Sequence, residues 1–480
     1  RSATLRTTAG GDISINGIGP TGAAAPDGTS YDDRDGVVIE NGVVIQTAVT
    51  DDSLLANDYG AITITGTAYG AGEALDLDDG TATRVIDAGK GGVTLTGVVA
   101  DQPVNGQLGS STAVTGKATT VRAKGGVVTI TGTGGTAGGD GVLFEGNSAL
   151  GSSLTTALTI TGTGRSGSAD GVDLENVDLV SSGQVLLSGQ AVDGRGVELS
   201  FGSSGTDRLT INGQDVILRG RSTGNHGIAI DDLRNLTASG DLRLEGKGGD
   251  SSRGISVYDS IFDVTGDVTI AGIDSDRATG DYAGVYFDDS SIDAGGAVVI
   301  KGQTSAASGI AGVYFDWDSN TTATTMFVRG SSVIIDGLST ASTPGIDLAD
   351  NVSINTTGGT LTVVGASAGA TDIDIESSVF DSAGGNLTID GNVRVLRSAQ
   401  FDSGGGLSGG TLTVTDAVSG AGTLTVTDAG PVVLSSAIDV GGLNVTASGN
   451  VTAADTITTS ADLSVDTSGG NAASVTLSGA

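Results

Sequence analysis

Short runs of alternating apolar and polar residues recur along almost the whole chain, and each run ends at a glycine. In residues 128–131 and 158–161, an apolar residue, Thr, Ile and Thr precede Gly132 and Gly162. Alternation with a period of two is typical of a half-buried β-strand, and glycine marks the turn that bounds it. This first pattern ends at Gly17, Gly66, Gly97, Gly132, Gly162, Gly189, Gly220, Gly246, Gly272, Gly302, Gly337, Gly365 and Gly391.

A second pattern, glycine followed by an apolar-polar-apolar run, lies between copies of the first. It begins at Gly36, Gly141, Gly171, Gly196, Gly227, Gly254, Gly284, Gly312 and Gly345. A third, less regular strand follows, as in residues 291–294. Between Gly66 and Gly391 the first pattern recurs every 26 to 35 residues. A repeat this short cannot bury its own apolar face and must stack on its copies. The sequence therefore predicts an all-β fold, a parallel β-helix (β-solenoid) with about three short strands per coil.

The second pattern can be divided into two faces, because successive side chains of a strand point to opposite sides. The predicted inward pairs are Val37/Ile39, Val142/Phe144, Val172/Leu174, Val197/Leu199, Ile228/Ile230, Ile255/Val257, Val285/Phe287, Val313/Phe315 and Ile346/Leu348. Their uninterrupted apolar character is the strongest sequence evidence for a continuous core.

The repeat changes near residue 404. Leu424, Leu443 and Leu463 recur after 19 and 20 residues, in runs that have lost the longer loops. We therefore expect two segments: residues 1–403 as a β-helix with coils of about 26–35 residues and projecting loops, and residues 404–480 as its continuation, a thinner β-helix with coils of about 20 residues.

Composition narrows the class of protein further. The chain has 82 glycines, but five prolines and no Gly-X-Y period exclude collagen. The absence of cysteine excludes a disulfide framework and thiolate chemistry. No apolar run approaches the length of a membrane-spanning helix, so direct membrane insertion is not expected.

The net charge of −34 arises from 56 acidic and 22 basic residues, and only seven of the acids are Glu. Asp favours turns because its short side chain bonds the local backbone. Such an acidic chain repels phosphate backbones, which argues against nucleic acid as a partner. A degenerate tenth copy of the second pattern, without the glycine, covers residues 372–376. The outward fifth position is acidic in seven of these ten copies: Glu40, Glu145, Glu175, Ser200, Asp231, Tyr258, Asp288, Asp316, Ala349 and Glu376. This column is either a solvated face that prevents lateral aggregation or a binding surface for Ca²⁺.

The best local calcium candidate combines oxygen ligands of two adjacent coils. Its residues are Asp288, Asp289, Asp316, Asp318 and Asn320. Their alternating spacing resembles the start of an EF-hand loop, but the glycine at loop position six and the distal Glu are missing. No cofactor is required by this hypothesis, and Ca²⁺ is the ion that would suit it.

Aromatic residues are rare in the chain but cluster in the same coils. Tyr258, Tyr286, Tyr314 and Trp317 are the candidate ligand contacts, since exposed rings stack on sugars or bury at interfaces. The alternative is a stacked ladder that only stabilises neighbouring strands.

Catalysis has little support in the sequence, and we expect that the protein is not an enzyme. Acidic residues on most coils give no reason to select one pair, such as Asp288 and Asp316, as acid and base. The single histidine, His226, has no identifiable nucleophile beside it.

Residues 125–132, 158–164 and 443–452 resemble the repeats of filamentous-haemagglutinin-like exoproteins and autotransporter-type adhesins, which are secreted bacterial surface proteins. The resemblance covers nearly the whole chain and implies a right-handed β-helical stalk outside the cell, at the bacterial surface.

The expected function is therefore an extracellular structural or adhesive rod. The segments 1–17 and 464–480 read as open strands, which predicts end-to-end stacking on copies of the same protein, or on further β-helix of the same chain. The alternative is a carbohydrate-binding or carbohydrate-cleaving β-helix whose partner is a surface glycan.

Overall fold

The computed structural model describes most of the chain, and its regular structure is entirely β. The described residues are 3–7, 11–20, 35–40, 42–47, 60–78, 82–101, 111–201, 209–233, 235–250, 252–274, 282–305, 310–316, 326–349, 351–404, 409–428, 430–467 and 474–477. Within these ranges there is no helix, and hence none that is long and apolar enough to cross a membrane. The predicted fold class, an all-β parallel β-solenoid, is confirmed.

The chain divides into two compact units, Arg1–Gly249 and Asp250–Ala480. The strands of the first unit are β1 Thr4–Arg6, β2 Ile13–Ile18, β3 Val37–Val38, β4 Val44–Gln46, β5 Ile62–Tyr69, β6 Leu75–Leu77, β7 Arg84–Ala88, β8 Val93–Ala100, β9 Val114–Lys117, β10 Thr119–Ala123, β11 Val127–Thr133, β12 Val142–Glu145, β13 Ser148–Ser152, β14 Ala157–Thr163, β15 Val172–Glu175, β16 Val177–Ser181, β17 Gln184–Ala191, β18 Val197–Ser200, β19 Thr210–Gly213, β20 Val216–Ser222, β21 Ile228–Asp231, β22 Asn235–Ala238 and β23 Leu242–Lys247.

Strands of the first unit pair in parallel with the third strand after them, which produces three ladders. The first-pattern runs form one ladder (β2, β5, β8, β11, β14, β17, β20, β23), with Gly132 directly opposite Gly97 and Gly162. The second-pattern runs form another (β3, β6, β9, β12, β15, β18, β21). The remaining strands form the third (β1, β4, β7, β10, β13, β16, β19, β22).

The second unit begins with the same pairing and then simplifies. Its strands are β24 Ile255–Tyr258, β25 Ile261–Val264, β26 Val268–Ile273, β27 Val285–Asp288, β28 Ser291–Ala294, β29 Val298–Thr304, β30 Val313–Asp316, β31 Met326–Gly330, β32 Val333–Ser339, β33 Ile346–Leu348, β34 Val352–Thr356, β35 Leu361–Ala366, β36 Ile373–Asp381, β37 Leu387–Asp390, β38 Val393–Asp402, β39 Leu412–Val414, β40 Val418–Asp428, β41 Val432–Leu434, β42 Ile438–Ala447, β43 Val451–Ala453, β44 Ile457–Thr459, β45 Leu463–Asp466 and β46 Val475–Leu477.

In β36, the strands of the second and third ladders merge into one long strand, which pairs with both β33 and β34. The register is interrupted between Ile375 and Ser377, where the two halves join. From β40 onward, partners lie about 20 residues apart in sequence, as with Val418 and Ile438. The predicted segment boundary at residues 403/404 stays a prediction.

The interior follows the predicted inward column. Its described members from Val142 to Leu348 are at most 1% exposed, whereas Val37 is only partly buried. Phe287 and Phe315 stack in this column with ring centroids 5.3 Å apart and planes 10° apart. Each coil therefore buries the apolar edge of the next.

Glycines of the two patterns meet at one corner of the coil. Gly132 occupies an inward position of β11, and a Cβ there would overlap the carbonyl oxygen of Gly141. The same clash would arise between Gly162 and Gly171. We call this close contact between a first-pattern glycine and the glycine that opens the next second-pattern strand the glycine corner. It allows the two strands, and so the two ladders, to lie close together.

Polar residues occupy the turn between the second-pattern strand and the third strand. Asn147, Asn176, Asp232, Asp259 and Asp289 have φ between 44° and 63°. Asn and Asp tolerate this left-handed conformation better than other side chains, because they can bond the local backbone. At Asp232, Asp259 and Asp289, the choice of Asp therefore has a turn-forming cause.

Candidate functional site

Three tyrosines stack on neighbouring strands of the second unit, at the site chosen from the sequence. Tyr286 in β27 and Tyr314 in β30 lie directly opposite each other in register. The ring centroid of Tyr286 is 5.3 Å from that of Tyr314 and 5.3 Å from that of Tyr258, in tilted contacts. We call these three residues the tyrosine ladder.

Arg253 and two carboxylates complete the contacts of the central ring. The guanidinium carbon of Arg253 lies 3.5 Å from the centroid of Tyr286, in cation–π geometry, and the same side chain bonds the hydroxyl of Tyr258. The Tyr286 hydroxyl donates towards Oδ2 of Asp288 at 3.0 Å and Oδ2 of Asp316 at 3.2 Å. As a result, Tyr286 is only 5% exposed although it points outward from the strand.

The electrostatics of this site favour neutral tyrosines and a carboxyl that is easily protonated. Burial, followed by the nearby carboxylates, raises the pKa of Tyr286 and Tyr314 far above the ordinary value, so both remain hydroxyl donors. Burial also raises the pKa of Asp288 to about 6, with Asp316 adding to the shift and the Tyr286 hydrogen bond opposing it.

The residues that the sequence predicted for this site differ in their exposure, and three of them lie outside the described part of the chain. Tyr258 and Tyr314 are half-buried, whereas the ring of Tyr286 is covered by its neighbours. Asp289 has a φ of 44° and forms the turn after β27. Trp317, Asp318 and Asn320 lie outside the described residues.

An acidic cluster in the first unit escaped the sequence interpretation. The carboxylate oxygens of Asp170, Asp173 and Glu198 lie within 4.8 Å of one another. Asp170 accepts a hydrogen bond from the backbone N–H of Arg195, whose guanidinium pairs with Glu198. Burial raises the pKa of Asp173 to about 8 and, together with Glu198, raises that of Asp170. The signal was present: Asp173 and Glu198 occupy the third, not the fifth, position of adjacent second-pattern copies.

Glu73, Asp76 and Asp78 form another such cluster within the described chain. Asp76 accepts the backbone N–H of Asp78 at 2.8 Å, a local turn interaction of the kind expected from the sequence. Thr115 donates to Glu73 at 2.7 Å, while burial raises the pKa of Glu73 to about 7. Carboxylate clusters suit Ca²⁺. However, the raised pKa values mean that protonation of a carboxyl can also reduce the repulsion between the carboxylates of each cluster.

The fold defines the class of protein: a parallel β-solenoid built from repeated coils. Comparison with family models, curated proteins and solved structures found no match to the chain. The resemblance to filamentous-haemagglutinin-like exoproteins and autotransporter-type adhesins therefore stays a prediction.

Proposed function

We propose that this chain is a structural stalk of an extracellular bacterial adhesin or surface filament. The observation that carries the proposal is the tyrosine ladder, because its central side chain is used to hold neighbouring coils together. Tyr286 is 5% exposed, its ring contacts two tyrosines, and its hydroxyl is committed to two carboxylates. Because the ring and the hydroxyl of Tyr286 are both in contact with neighbouring coils, this side chain is better suited to stabilise their stacking than to bind a ligand.

Ion pairs between neighbouring coils support the same role. Lys117 pairs with Glu145 at 2.6 Å, and Arg219 pairs with Glu245 at 2.9 Å. Each pair joins outward positions of adjacent strands in a ladder, although exposed pairs add only about 0–1 kcal/mol each. In this proposal, stacking continues into further coils of the same polypeptide or into other copies of it. Ca²⁺ is an optional ion that the outward acidic column from Glu40 to Glu376 would bind.

A second candidate function is recognition or cleavage of carbohydrate at the same face. It is favoured by Tyr314, which is half-buried beside Asp316, and by Asp288, whose raised pKa suits a general acid. In this candidate function the rings of the tyrosine ladder contact the carbohydrate, whereas in the stalk they stabilise the folded coils.

Substitution of Tyr286 separates the two candidates. For a stalk, Tyr286→Ala lowers the unfolding midpoint in guanidinium, and glycan-array signals and release of reducing sugar stay at background for both proteins. The matched control, Tyr286→Phe, keeps the ring contacts and loses only the hydroxyl bonds, so its midpoint falls less. Glycan binding by the wild type that Tyr286→Ala abolishes without loss of stability would support carbohydrate recognition and contradict the stalk.

Electron microscopy of the purified chain at rising concentration, with and without a calcium chelator, tests assembly. Uniform narrow particles that join into fibres support the stalk, and sensitivity to chelator would assign the ion a role in joining them. Compact particles of constant size under every condition would overturn it.

A further inference from the structure

A regular array of threonines covers the outward face of four neighbouring strands in the first unit. Strands β5, β8, β11 and β14 pair in parallel without a register shift. In three consecutive columns of outward positions, eleven of the twelve residues are threonine and one is valine: Thr63, Thr65 and Thr67; Thr94, Thr96 and Val98; Thr129, Thr131 and Thr133; Thr159, Thr161 and Thr163. We call this surface the threonine face. The outward positions beyond these columns hold Tyr69, Ala100, Val127 and Ala157.

The fold fixes the spacing of the threonine face in two directions. Adjacent strands in a sheet are about 4.8 Å apart, and alternate residues of one strand are about 6.6 Å apart. All twelve side chains are half-buried or exposed, and the residues between them, such as Ile64 and Ile130, are fully buried. The hydroxyls and methyl groups therefore form a two-dimensional lattice on a rigid support.

The hydroxyl groups of this lattice are available to an external partner. Within the described chain, none of the eleven threonine side chains makes a hydrogen bond to another protein group. Threonines elsewhere behave differently: Thr119 donates to the carbonyl of Leu77 at 2.9 Å, and Thr155 to that of Ala123 at 2.9 Å. Each free hydroxyl can donate one hydrogen bond and accept two.

Charge distribution limits the partner to a neutral one. None of the twelve positions is charged, in a chain whose net charge is −34. Two strands further along the same ladder, the outward positions change to the ion pair of Arg219 and Glu245. A charged partner would find no complement on the threonine face.

Area and chemistry then select among neutral partners. The array spans only about 14 Å by 13 Å between its outermost Cα positions, which is small beside the roughly 800 Å² per partner of a stable protein interface. A second copy is therefore a poor occupant. A polysaccharide held by stacked aromatic rings is disfavoured, since none of the twelve side chains is aromatic and the ring of Tyr69 lies only at the edge of the array.

We propose that the threonine face binds ice. Ice presents flat layers of uncharged oxygen atoms that repeat in two directions on a similar scale, and every oxygen both donates and accepts hydrogen bonds. The hydroxyls would continue this lattice, while the methyl groups between them order the adjoining water. This activity is separate from the proposed stalk and uses another face of the coil.

Slow freezing of the purified chain on a cold finger tests the proposal. We expect the wild type to be enriched in the ice fraction and to inhibit recrystallisation of fine-grained ice, with serum albumin as the non-binding reference. Thr96→Tyr and Thr131→Tyr, which place bulky rings in the middle of the lattice, should reduce both signals to the albumin level. Thr388→Tyr, at an outward position of β37 in the second unit, is the matched control and should retain both.

Thermal unfolding followed by circular dichroism confirms that each variant is folded, so a loss of ice binding can be assigned to the surface. The proposal would be overturned if the folded wild type were no more abundant in the ice fraction than serum albumin. Equal ice binding by wild type and both tyrosine variants would also overturn it. A dimer in sedimentation that dissociates in Thr96→Tyr, without enrichment in ice, would assign the face to a second copy instead.

Discussion

At the scale of single residues, the inward glycines of the first pattern are the most sensitive positions. We expect Gly132→Ala to destabilise the protein by about 1–3 kcal/mol or more, since the added methyl group overlaps the carbonyl oxygen of Gly141 and forces the backbone to move. Equilibrium unfolding in guanidinium measures the change as a lower midpoint.

The matched control is Gly11→Ala, where the new Cβ would lie 3.5 Å from Cβ of Thr7, an ordinary contact. Its midpoint should stay within error of the wild type. If the two variants were equally stable, the glycine corner would not be the reason for glycine at position 132.

Asp347 links stability to pH. It lies between Tyr314 and Asp374 in register, and burial, with Asp374 as the next cause, raises its pKa to about 7. An unfolded Asp titrates near 4, so between about pH 4 and 7 the folded state holds a proton that the unfolded state has lost, and stability falls as pH rises through this window. The melting temperature should be lower at pH 8 than at pH 5, and Asp288 and Glu73 act in the same direction.

Asp347→Asn mimics the protonated carboxyl. It should melt above the wild type at pH 8 and show a smaller difference between pH 5 and pH 8. Asp439→Asn removes the same charge at an exposed position and should leave the difference unchanged. A wild-type melting temperature that rises steadily from pH 5 to pH 8 would contradict this account.

The sequence predicted part of the candidate site and missed its internal contacts. Tyr286, Tyr314, Asp288 and Asp316 could be grouped because the second pattern repeats them one coil apart. The burial of Tyr286 could not be predicted, because it depends on the rotamers of its neighbours and on Arg253, which lies outside the repeated positions. The cluster of Asp170, Asp173 and Glu198 was not predicted, because these residues lie outside the fifth-position column in which the acidic repeat is evident.

At the scale of elements, one complete coil is the unit that can be removed. Ala157 lies opposite Gln184, so deletion of residues 157–183 joins Thr156 to Gln184 and brings β17 into the position of β14. Val142 and Phe144 would then face Val197 and Leu199, which are equally apolar. We expect the shortened chain to keep its β-type circular dichroism and to unfold cooperatively.

Deletion of residues 157–170 is the control, since it removes β14 alone and leaves β15 and β16 in place. The first-pattern ladder would lose a strand that the other two ladders retain, and unpaired backbone groups would be buried. We expect poor folding or aggregation. Equal stability of both deletions would show that the coil is not the folding unit.

The elements themselves were largely predictable, for a physical reason. Strands that stack on copies of themselves repeat the same apolar-polar alternation. The alternation therefore identifies each strand, and the spacing between copies of the pattern identifies its partner. The merging of two strands in β36 was not predictable, because a continuous strand with an irregularity at Ile375 and Ser377 has the same local alternation as two strands joined by a turn.

At the scale of the whole chain, the charge of −34 sets the response to salt. Self-repulsion among carboxylates opposes folding, and about 0.1 M salt screens exposed charges more than about 10 Å apart. The melting temperature should therefore rise from low salt to moderate NaCl. Addition of CaCl₂, with MgCl₂ at equal ionic strength as the control, separates screening from specific binding: an increase unique to Ca²⁺ would identify a calcium site, and a fall with NaCl would contradict the repulsion.

The glycine corner also determines where the sequence can accept insertions and deletions during evolution. It fixes two backbone points per coil and leaves the path between them free: Gly189 and Gly196 are seven positions apart, whereas Gly17 and Gly36 are nineteen apart. Lengthening a loop has only a small entropic cost. Insertions and deletions can therefore accumulate at this one edge without shifting the pairing of any strand, and the edge can diversify while the ladders stay constant.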